Sequence, residues 1–267
     1  MDCAARHREI EMFLLAERKA SVERLCRRFR VSSVTIRKDL AQLESRGLLL
    51  RTHGGAVLAE RPEWVVPHTA RSQENLAGKA AVARAAALRI KDGEHILLDA
   101  GSTTLALARE LRGRPVTIVT NSVPVAMELA GFGADARNGG TGDDGDEKAS
   151  VIVLGGNLRR ASLALLGPLA LRQMESLHCD RAFLGASGFD ARTGFSCQNL
   201  VEAESKRAMA RTAREVVMLA DHSKFERTSF APFCALKDLD VLITDVAPPR
   251  SLSEALKKAR VEVVVAE

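Results

Sequence analysis

The sequence lacks the features that would place it in a membrane, outside the cell or around a metal ion. No apolar stretch approaches the roughly 20 residues that a membrane-spanning helix needs, and the charged N-terminus, MDCAARHREIEMF, is unlike a signal peptide. The five cysteines are scattered and form no CxxC pair. This spacing argues against a disulfide framework and against a zinc site. We therefore expect the cysteines to be small buried apolar residues or residues without a functional role. We therefore expect a cytoplasmic protein without metal or cofactor.

A surplus of charge is also lacking over most of the chain. Residues 1–58 hold 12 Lys and Arg against 7 Asp and Glu, whereas residues 59–267 hold 27 of each kind. The whole net charge of +5 therefore lies in the first fifth of the sequence. A small basic module beside a larger neutral one suggests a polyanionic partner for the small one.

Two helices joined by a tight turn are predicted in this basic module. Ser21 precedes VERLCRRF and Ser32 precedes SVTIRKDLAQLESRG, and serine is a preferred N-cap residue. In the second helix, Ile36, Leu40 and Leu43 recur at the spacing of one buried face. This arrangement is typical of a helix-turn-helix, whose second helix enters the major groove of DNA. The alternative is a small helical protein-interaction module with a solvated basic face.

The segment LLLRTHGGAV after these helices predicts a strand, a Gly-Gly turn and a return strand, which together form a β-wing. In such a fold, Arg or Lys can bind guanine, Val can contact a thymine methyl group, and hydroxyl groups suit phosphates. The predicted DNA-binding residues are Ser32, Ser33, Val34, Thr35, Arg37, Lys38, Arg51 and His53.

The segment FRVSSVTIRKDLAQLESRGLLLRTHGGA resembles the N-terminal signature of the DeoR family of bacterial transcriptional regulators. The shared features are a Val-Ser-x-x-Thr-Ile-Arg-x-Asp-Leu segment and a His-Gly-Gly-Ala wing. The resemblance implies a winged helix-turn-helix that binds double-stranded operator DNA. Asp39 lies within the shared segment. We assign it a structural role, steadying Arg37 or a wing residue, because an acidic group does not suit a DNA contact.

A hinge is predicted at residues 59–74, which contain two prolines and show no helical period. We expect a DNA-binding domain at residues 1–58 and a second domain at residues 75–267. In the second domain, Val/Ile/Leu runs that end in Gly, Asp or Asn alternate with helical patterns. They predict an α/β fold with a mainly parallel sheet. Residues 133–150, with five glycines and five acidic residues, predict a surface loop.

Five polar or glycine-rich strand ends are predicted to meet at one edge of this sheet, where ligands bind in open parallel sheets. In DAGSTT, residues 99–104, the glycine lets the backbone approach an anion, and hydroxyl and amide groups can bind it. By itself the motif also fits an ordinary helix cap. Lys224 adds a point charge that suits phosphate. The predicted effector-binding residues are Asp99, Gly101, Ser102, Thr103, Thr104, Asn121, Gly155, Gly156, Asp221 and Lys224.

The second domain also resembles the DeoR sensor domain, which is related to ribose-5-phosphate isomerase and CoA transferases. The matching segments are DAGSTT, TNS, VLGG, DRAFLGASG, EAESKRAM and LADHSKF. LRRASLALLGPLA and GFSCQNLVEA look most like family members that serve amino-sugar catabolism. An ungapped count from Asp221 puts Lys206 where the isomerase has its catalytic glutamate, and GASG replaces an acidic strand end. A gapped alignment could bring Glu202 or Glu204 into the site, and we assign no catalytic residue.

These observations predict a repressor of a carbohydrate-catabolism operon, released from DNA by a phosphorylated sugar or amino sugar. The protein is expected to act as a homo-oligomer, either a dimer or a tetramer, and activation is the alternative to repression. The rival hypothesis is a sugar-phosphate isomerase or deaminase-like enzyme with a fused DNA-binding module.

Overall fold

The computed structural model describes residues 6–7, 9–10, 13–14, 17, 19–45, 49–52, 54–58, 68–131 and 149–266. The chain divides into two compact units, Met1–Val65 and Val66–Glu267. His53, residues 59–67 of the predicted hinge and residues 132–148 around the predicted acidic loop lie outside the described residues. Among the described helices, none is long and apolar enough to cross a membrane.

The smaller unit is a winged helix-turn-helix. Its elements are β1 (Lys19–Ser21), α1 (Val22–Phe29), α2 (Ser33–Ser45), β2 (Leu49–Thr52) and β3 (Gly55–Leu58). The Ser21 hydroxyl accepts a hydrogen bond from the Arg24 amide at 3.1 Å, and the Ser32 hydroxyl accepts one from the Thr35 amide at 3.2 Å. Both predicted N-caps are therefore confirmed.

The predicted wing, β2 and β3, gains a third strand that the sequence did not predict. β1 pairs antiparallel with β3, so that the sheet order is β1-β3-β2. Gly55 lies opposite Ser21, where a Cβ atom would be 2.0 Å from the Ala20 carbonyl oxygen. The second glycine of the wing turn is thus required for close pairing of the two strands. β1 itself has three residues, too few to show an alternating pattern.

The larger unit is an α/β domain with a seven-stranded parallel sheet in the order β15-β14-β12-β9-β4-β5-β6. Its sheet strands are β4 (His95–Leu98), β5 (Thr117–Thr120), β6 (Ser150–Val153), β9 (Cys179–Gly185), β12 (Ala213–Leu219), β14 (Val241–Thr244) and β15 (Glu262–Val265). Its helices are α3 (His68–Gln73), α4 (Leu76–Ala87), α5 (Ser102–Glu110), α6 (Val123–Leu129), α7 (Pro168–Glu175), α8 (Leu200–Thr212) and α9 (Arg250–Lys258). The predicted fold class is confirmed.

Both faces of the central strands of the parallel sheet are buried, as helices on both sides require, whereas the edge strands β6 and β15 are largely exposed. Successive residues of one strand belong to opposite cores: Leu97 lies in one hydrophobic cluster, and Ile96 and Leu98 lie in the other. Phe183 and Leu184 on the neighbouring strand β9 divide in the same way. The continuous apolar runs of the sequence are therefore explained by a strand that contacts helices on each side.

Two small antiparallel sheets and one helix depart from the expected pattern. β10 (Gly188–Asp190), β11 (Gly194–Cys197) and β13 (Ala231–Cys234) form one sheet, and the hairpin of β7 (Asn157–Arg159) and β8 (Ala164–Leu166) forms the other. Their glycine-rich sequences resemble loops. The end of the predicted hinge is also ordered differently, because His68–Gln73 is a helix of the larger unit.

Candidate functional sites

The recognition helix α2 has one buried and one exposed face. Ile36, Leu40 and Leu43 are fully buried in the small hydrophobic core. On the opposite face, Val34, Arg37 and Lys38 are exposed, with Val34 exposed by 72%. An exposed valine beside two cations at the start of a helix is the composition needed to contact thymine methyl groups and guanine edges.

The other predicted DNA-binding residues occupy different positions. Ser33 is exposed beside Val34, and Arg51 is exposed on β2 of the wing. The hydroxyl groups of Ser32 and Thr35 lie 2.9 Å apart and form the N-cap of α2. Their first role is thus to begin the helix, and any phosphate contact would have to use their remaining hydrogen-bonding capacity. His53 lies outside the described residues.

Asp39 lies on the buried side of the recognition helix and joins it to the first helical segment. Its carboxylate accepts hydrogen bonds from Arg6 at 2.6 and 3.0 Å, and the Nε2 atom of His7 lies 3.0 Å from it. Burial raises the pKa of Asp39, but the hydrogen bonds from Arg6 and His7 outweigh this effect, so the pKa falls below its usual value. Asp39 thus has a structural role, as expected, but the partners that the structure shows are Arg6 and His7, more than 30 residues earlier in the chain, and not Arg37 or a wing residue.

In the larger unit, the predicted effector residues follow strands that all run in the same direction. Asp99 follows β4, Asn121 follows β5, Gly155 follows β6 and Asp221 follows β12. Because these four strands belong to one parallel sheet, the structure brings their carboxyl ends to a single edge. The sheet edge also receives Lys206 from helix α8, a residue that was not among the predicted effector contacts.

Asp99 and Lys206 form a buried ion pair at this edge. The Nζ atom of Lys206 donates to the Asp99 carboxylate and to the Gly185 carbonyl oxygen, the latter at 2.9 Å. The Gly185 amide donates to the same Asp99 oxygen, Oδ2, at 3.2 Å. The pair links strands β4 and β9 to helix α8, so that Asp99 is already occupied by protein groups.

A small cavity next to this ion pair contains polar atoms without protein partners. It is lined by Asp99, Ala100, Asn121, Ala164, Leu166, Glu202, Ser205 and Lys206. Asn121 and Ser205 are each 1% exposed, and neither the Oδ1 atom of Asn121 nor the hydroxyl of Ser205 has a hydrogen-bond partner among the described residues. A buried polar atom without a partner is destabilising unless water or a ligand binds it. The cavity itself has room for about one water molecule, but its two unpaired atoms can bind a hydroxyl or amide group that reaches this edge of the sheet.

The N-terminus of helix α5 lies at the same sheet edge. Gly101 is its N-cap and provides no side-chain cap. Ser102 is half-buried, whereas Thr103 is buried. The Thr104 hydroxyl points into the fold and donates to the carbonyl oxygens of Asp99 at 2.6 Å and Gly101 at 3.0 Å. Thr104 therefore holds the turn, and the backbone amides and Ser102 are the groups left to contact an anion.

Lys224 lies in a short 3-10 helix, His222–Lys224, which Asp221 caps by accepting from the Ser223 amide at 3.0 Å. The second carboxylate oxygen of Asp221 is buried and has no hydrogen-bond partner within the described part of the chain. The ammonium group of Lys79 on helix α4 interacts electrostatically with the side chains of both Asp221 and Lys224. Its ammonium group donates to the carbonyl oxygen of Arg71 at 2.7 Å.

Arg71 also belongs to this region, although the sequence placed it in the hinge. Burial lowers its pKa, and the nearby carboxylates of Glu202 and Asp99 oppose this effect. Its Nε atom is buried without a hydrogen-bond partner among the residues described. Arg159 lies 3.6 Å from Glu202 and completes the group. The cluster contains five basic residues and three acidic ones: Arg71, Lys79, Arg159, Lys206, Lys224, Asp99, Glu202 and Asp221. Two more carboxylates lie beside it, those of the exposed Glu74 and of Asp245, which binds His222.

Two predicted glycines serve the scaffold of the site. The Gly155 amide donates to the Gln173 side chain at 2.7 Å. Gly156 has a φ of +146°, and a Cβ atom there would be 2.6 Å from the Leu166 carbonyl oxygen. Gly156 thus allows the β7–β8 hairpin to close over the cavity that Leu166 lines.

The carboxylates needed for isomerisation are only partly present. Glu202 is buried in the cavity wall and pairs with Arg159, whereas Glu204 is exposed. Lys206 stands beside Asp99 as a cation, and GASG provides no acidic side chain at the end of β9. The site therefore offers several groups to bind an anion, but two of its three buried carboxylates, Asp99 and Glu202, are each engaged by a cation.

Two family models match the chain. A DeoR-like helix-turn-helix domain matches residues 6–61, and a DeoR C terminal sensor domain matches residues 74–246.

Curated relatives match nearly the full length. The HTH-type transcriptional regulator GlpR of Haloferax volcanii is 36% identical over 98% of this chain and 97% of its own. The HTH-type transcriptional regulator GolR of Listeria innocua is 35% identical over 98% of each chain. The HTH-type transcriptional repressor GlcR of Bacillus subtilis is 31% identical over 96% of this chain and 93% of its own. Each of these names describes a transcriptional regulator and not an enzyme.

Proposed function

The chain belongs to the DeoR family of DNA-binding transcriptional regulators, and from this premise we propose that it represses a carbohydrate-catabolism operon until a phosphorylated sugar or amino sugar releases it from DNA. The protein is a regulator and not an enzyme. The observation that carries the effector proposal is that Arg71, Lys79 and Lys224 form no ion pair with another described residue and belong to the same sheet edge as the uncapped N-terminus of helix α5.

In this proposal the winged helix-turn-helix binds operator DNA with helix α2 in the major groove. Arg37 and Lys38 are exposed and contact base edges, and Val34 contacts a thymine methyl group. Ser33 lies at the same face, and Ser32, Thr35, Arg51 and His53 contact phosphates or the groove edge. Two copies of the chain bind two half-sites, as is usual for helix-turn-helix proteins.

The effector proposal assigns different parts of the ligand to different parts of the sheet edge. The phosphate lies at the α5 N-terminus, where Gly101, Ser102 and the first amides meet it, and Lys224 balances its charge. The sugar lies over the cavity, where the free Oδ1 of Asn121 and the Ser205 hydroxyl bind its hydroxyl or amide groups. Asp221 accepts a further sugar hydroxyl with its unpaired carboxylate oxygen.

Release requires the effector to bind the DNA-free state more tightly than the DNA-bound state. By linkage, operator DNA must then weaken effector binding by the same factor. Typical coupling energies of about 1–3 kcal/mol correspond to roughly 5- to 150-fold changes in affinity. Measuring both affinities in the presence and absence of the other ligand gives an internal check on the proposal.

The DNA-binding surface is tested with Arg37→Ala. An operator duplex is first selected from a random DNA pool by the purified full-length protein, and its affinity is then measured by gel shift. Loss of a base contact predicts a loss of about 1–3 kcal/mol, or roughly 5- to 150-fold. Arg172→Ala, an exposed arginine of helix α7, is the matched control. Unchanged operator affinity of Arg37→Ala would refute the assignment of the recognition helix.

The effector site is tested by a thermal-shift screen of phosphorylated sugars and amino sugars, with the free sugars alongside. We expect stabilisation by a phosphorylated compound only, because bound ligand stabilises the folded state. Lys224→Ala should bind the operator normally but need more effector for release, whereas Lys257→Ala, an exposed lysine of helix α9, should behave like the wild type. A normal response of Lys224→Ala would place the effector elsewhere, and turnover of the hit would revive the enzyme hypothesis.

A further inference from the structure

An apolar groove lies on the outer side of the larger unit, away from the groups assigned above. Helix α4 and the turn after it contribute Ala81, Ala85, Leu88 and Ile90, and the C-terminal strand contributes Val265. Leu88 is 88% exposed, the highest value among the large hydrophobic residues of the described chain. A groove of small apolar side chains beside an exposed leucine can accept an apolar side chain from another chain.

The rim of the groove carries two opposite charges that are not used within the chain. Arg84 of helix α4 and Glu110 at the end of helix α5 both line it. Both side chains are exposed, and neither forms an ion pair with another described residue. By contrast, the third charged residue of the rim, Arg114, is held by Asp92 at 2.6 Å.

The groove ends at an edge of the main sheet. β15 is the last strand in the sheet order and pairs on one side only, with β14. Val263 and Val265 on this strand are exposed by 37% and 44%. An edge strand that exposes apolar side chains offers a surface on which another chain can pack.

We infer that this groove is the contact surface between two copies of this chain in a two-fold symmetric dimer. In a contact of this kind the same patch must be complementary to itself. The patch meets this requirement in shape, because Leu88 of one copy can enter the groove of the other. It also meets it in charge, because Arg84 of one copy can pair with Glu110 of the other, and the reverse pair forms by symmetry. The small side chains of Ala81 and Ala85 allow the two α4 helices to approach closely.

The inferred interface would join the two copies of the chain that bind the two half-sites of the operator. The inference does not depend on the identity of the effector or of the operator. Its test is the association state of the full-length protein without DNA, measured by sedimentation equilibrium over a range of concentrations. Leu88→Glu should weaken one association step by about tenfold or more, because it puts a charge at the centre of the apolar contact. Leu76→Glu, an exposed leucine of the same helix that does not line the groove, is the matched control and should associate like the wild type.

A charge exchange separates a specific contact from a general effect of added charge. Arg84→Glu and Glu110→Arg should each weaken association several-fold, since each places like charges across the interface. The double variant Arg84→Glu/Glu110→Arg restores opposite charges and should return association toward the wild-type level. A monomeric wild type, an unchanged dissociation constant for Leu88→Glu, or a double variant as weak as the sum of its parts would each overturn the inference. An effect of Leu88→Glu on operator affinity alone would point to a different occupant of the groove and would overturn it as well.

Discussion

Replacing Asp39 by alanine should strongly destabilise the DNA-binding unit without removing a DNA contact. The Asp39 carboxylate is buried on the inner side of the recognition helix, where Arg6 donates two hydrogen bonds to it and His7 lies 3.0 Å away. The variant removes the acceptor that these groups share. Because the carboxylate has a lowered pKa, its contribution is complete above the unfolded value of 3.8 and disappears only as the pH falls through the folded value. Measurements at pH 7 therefore report the full effect.

The size of the effect follows from burial. Removing one partner of a buried ion pair costs about 3–5 kcal/mol. The unit spans Met1–Val65, and at about 0.05–0.15 kcal/mol per residue its whole stability is on the order of 3–10 kcal/mol. The substitution should therefore remove a large part of the free energy of unfolding of this unit. Asp39→Asn keeps the shape and one acceptor oxygen, and its cost should be smaller, about 1–2 kcal/mol.

Hydrogen–deuterium exchange of the full-length protein, resolved by peptide, is the suitable assay, because the two units need not unfold together. For Asp39→Ala, amides of helix α2 that exchange through unfolding should exchange roughly 2 to 3.5 orders of magnitude faster, at a factor of ten for each 1.36 kcal/mol. Peptides from β4 and β9 of the larger unit should be unchanged. Lys38→Ala, an exposed neighbour on the same helix, is the control. Exchange of α2 within threefold of the wild type in Asp39→Ala would refute the reasoning.

Three further outcomes are expected from the larger unit. Gly156→Ala should lower the thermal midpoint of this unit, because positive φ and a carbonyl oxygen 2.6 Å from the new Cβ together cost about 1–3 kcal/mol. The control is Gly113→Ala, which has positive φ but open space around the new Cβ and should cost less. Equal effects of the two variants would contradict the steric argument. Lys206→Met should destabilise by about 3–5 kcal/mol because it leaves the Asp99 carboxylate buried without its ammonium partner, and Asp99→Asn in the same chain should recover part of the loss in a denaturant titration. Burial raises the pKa of Asp245, but hydrogen bonds from Asn75 and His222 outweigh this effect and leave the pKa below its usual value. Near neutral pH the protein should therefore be more stable than the Asp245→Asn variant. This advantage should vanish as the pH falls through the lowered pKa, and a difference that persists in acid would disprove the assignment.

The sequence predicted those features that depend on neighbouring residues. The caps at Ser21 and Ser32 follow from serine immediately before an apolar helical pattern, and both are present. The parallel sheet follows from the alternation of strands and helices. The order of the strands does not, since β9 lies between β4 and β12 although many residues separate it from either one in sequence.

The parts of the site that escaped prediction depend on contacts between distant residues. Lys206 and Asp99 are 107 positions apart, and no local pattern joins them. Arg71 looked like part of a hinge because the segment before it contains prolines, yet its helix belongs to the larger unit. For Thr104 the sequence predicted a ligand contact, because a hydroxyl group can bind an anion. In the structure this hydroxyl is hydrogen-bonded to the backbone of its own turn. A sequence shows which groups are present, and only the fold shows which of them remain unused.

The charge balance of the sheet-edge cluster determines what kind of metabolic information the protein can receive. Three of its five basic side chains, Arg71, Lys79 and Lys224, form no ion pair with another described residue, so a surplus of unpaired positive charge is available to a ligand. A phosphate monoester carries about −1.5 to −2 at neutral pH and matches this surplus, whereas an unmodified sugar carries nothing that could neutralise it. With the effector site proposed above, the regulator would report the outcome of a phosphoryl-transfer step. It would stay bound to its operator while an unphosphorylated sugar accumulates. Expression of the operon would then begin only after the sugar has been phosphorylated.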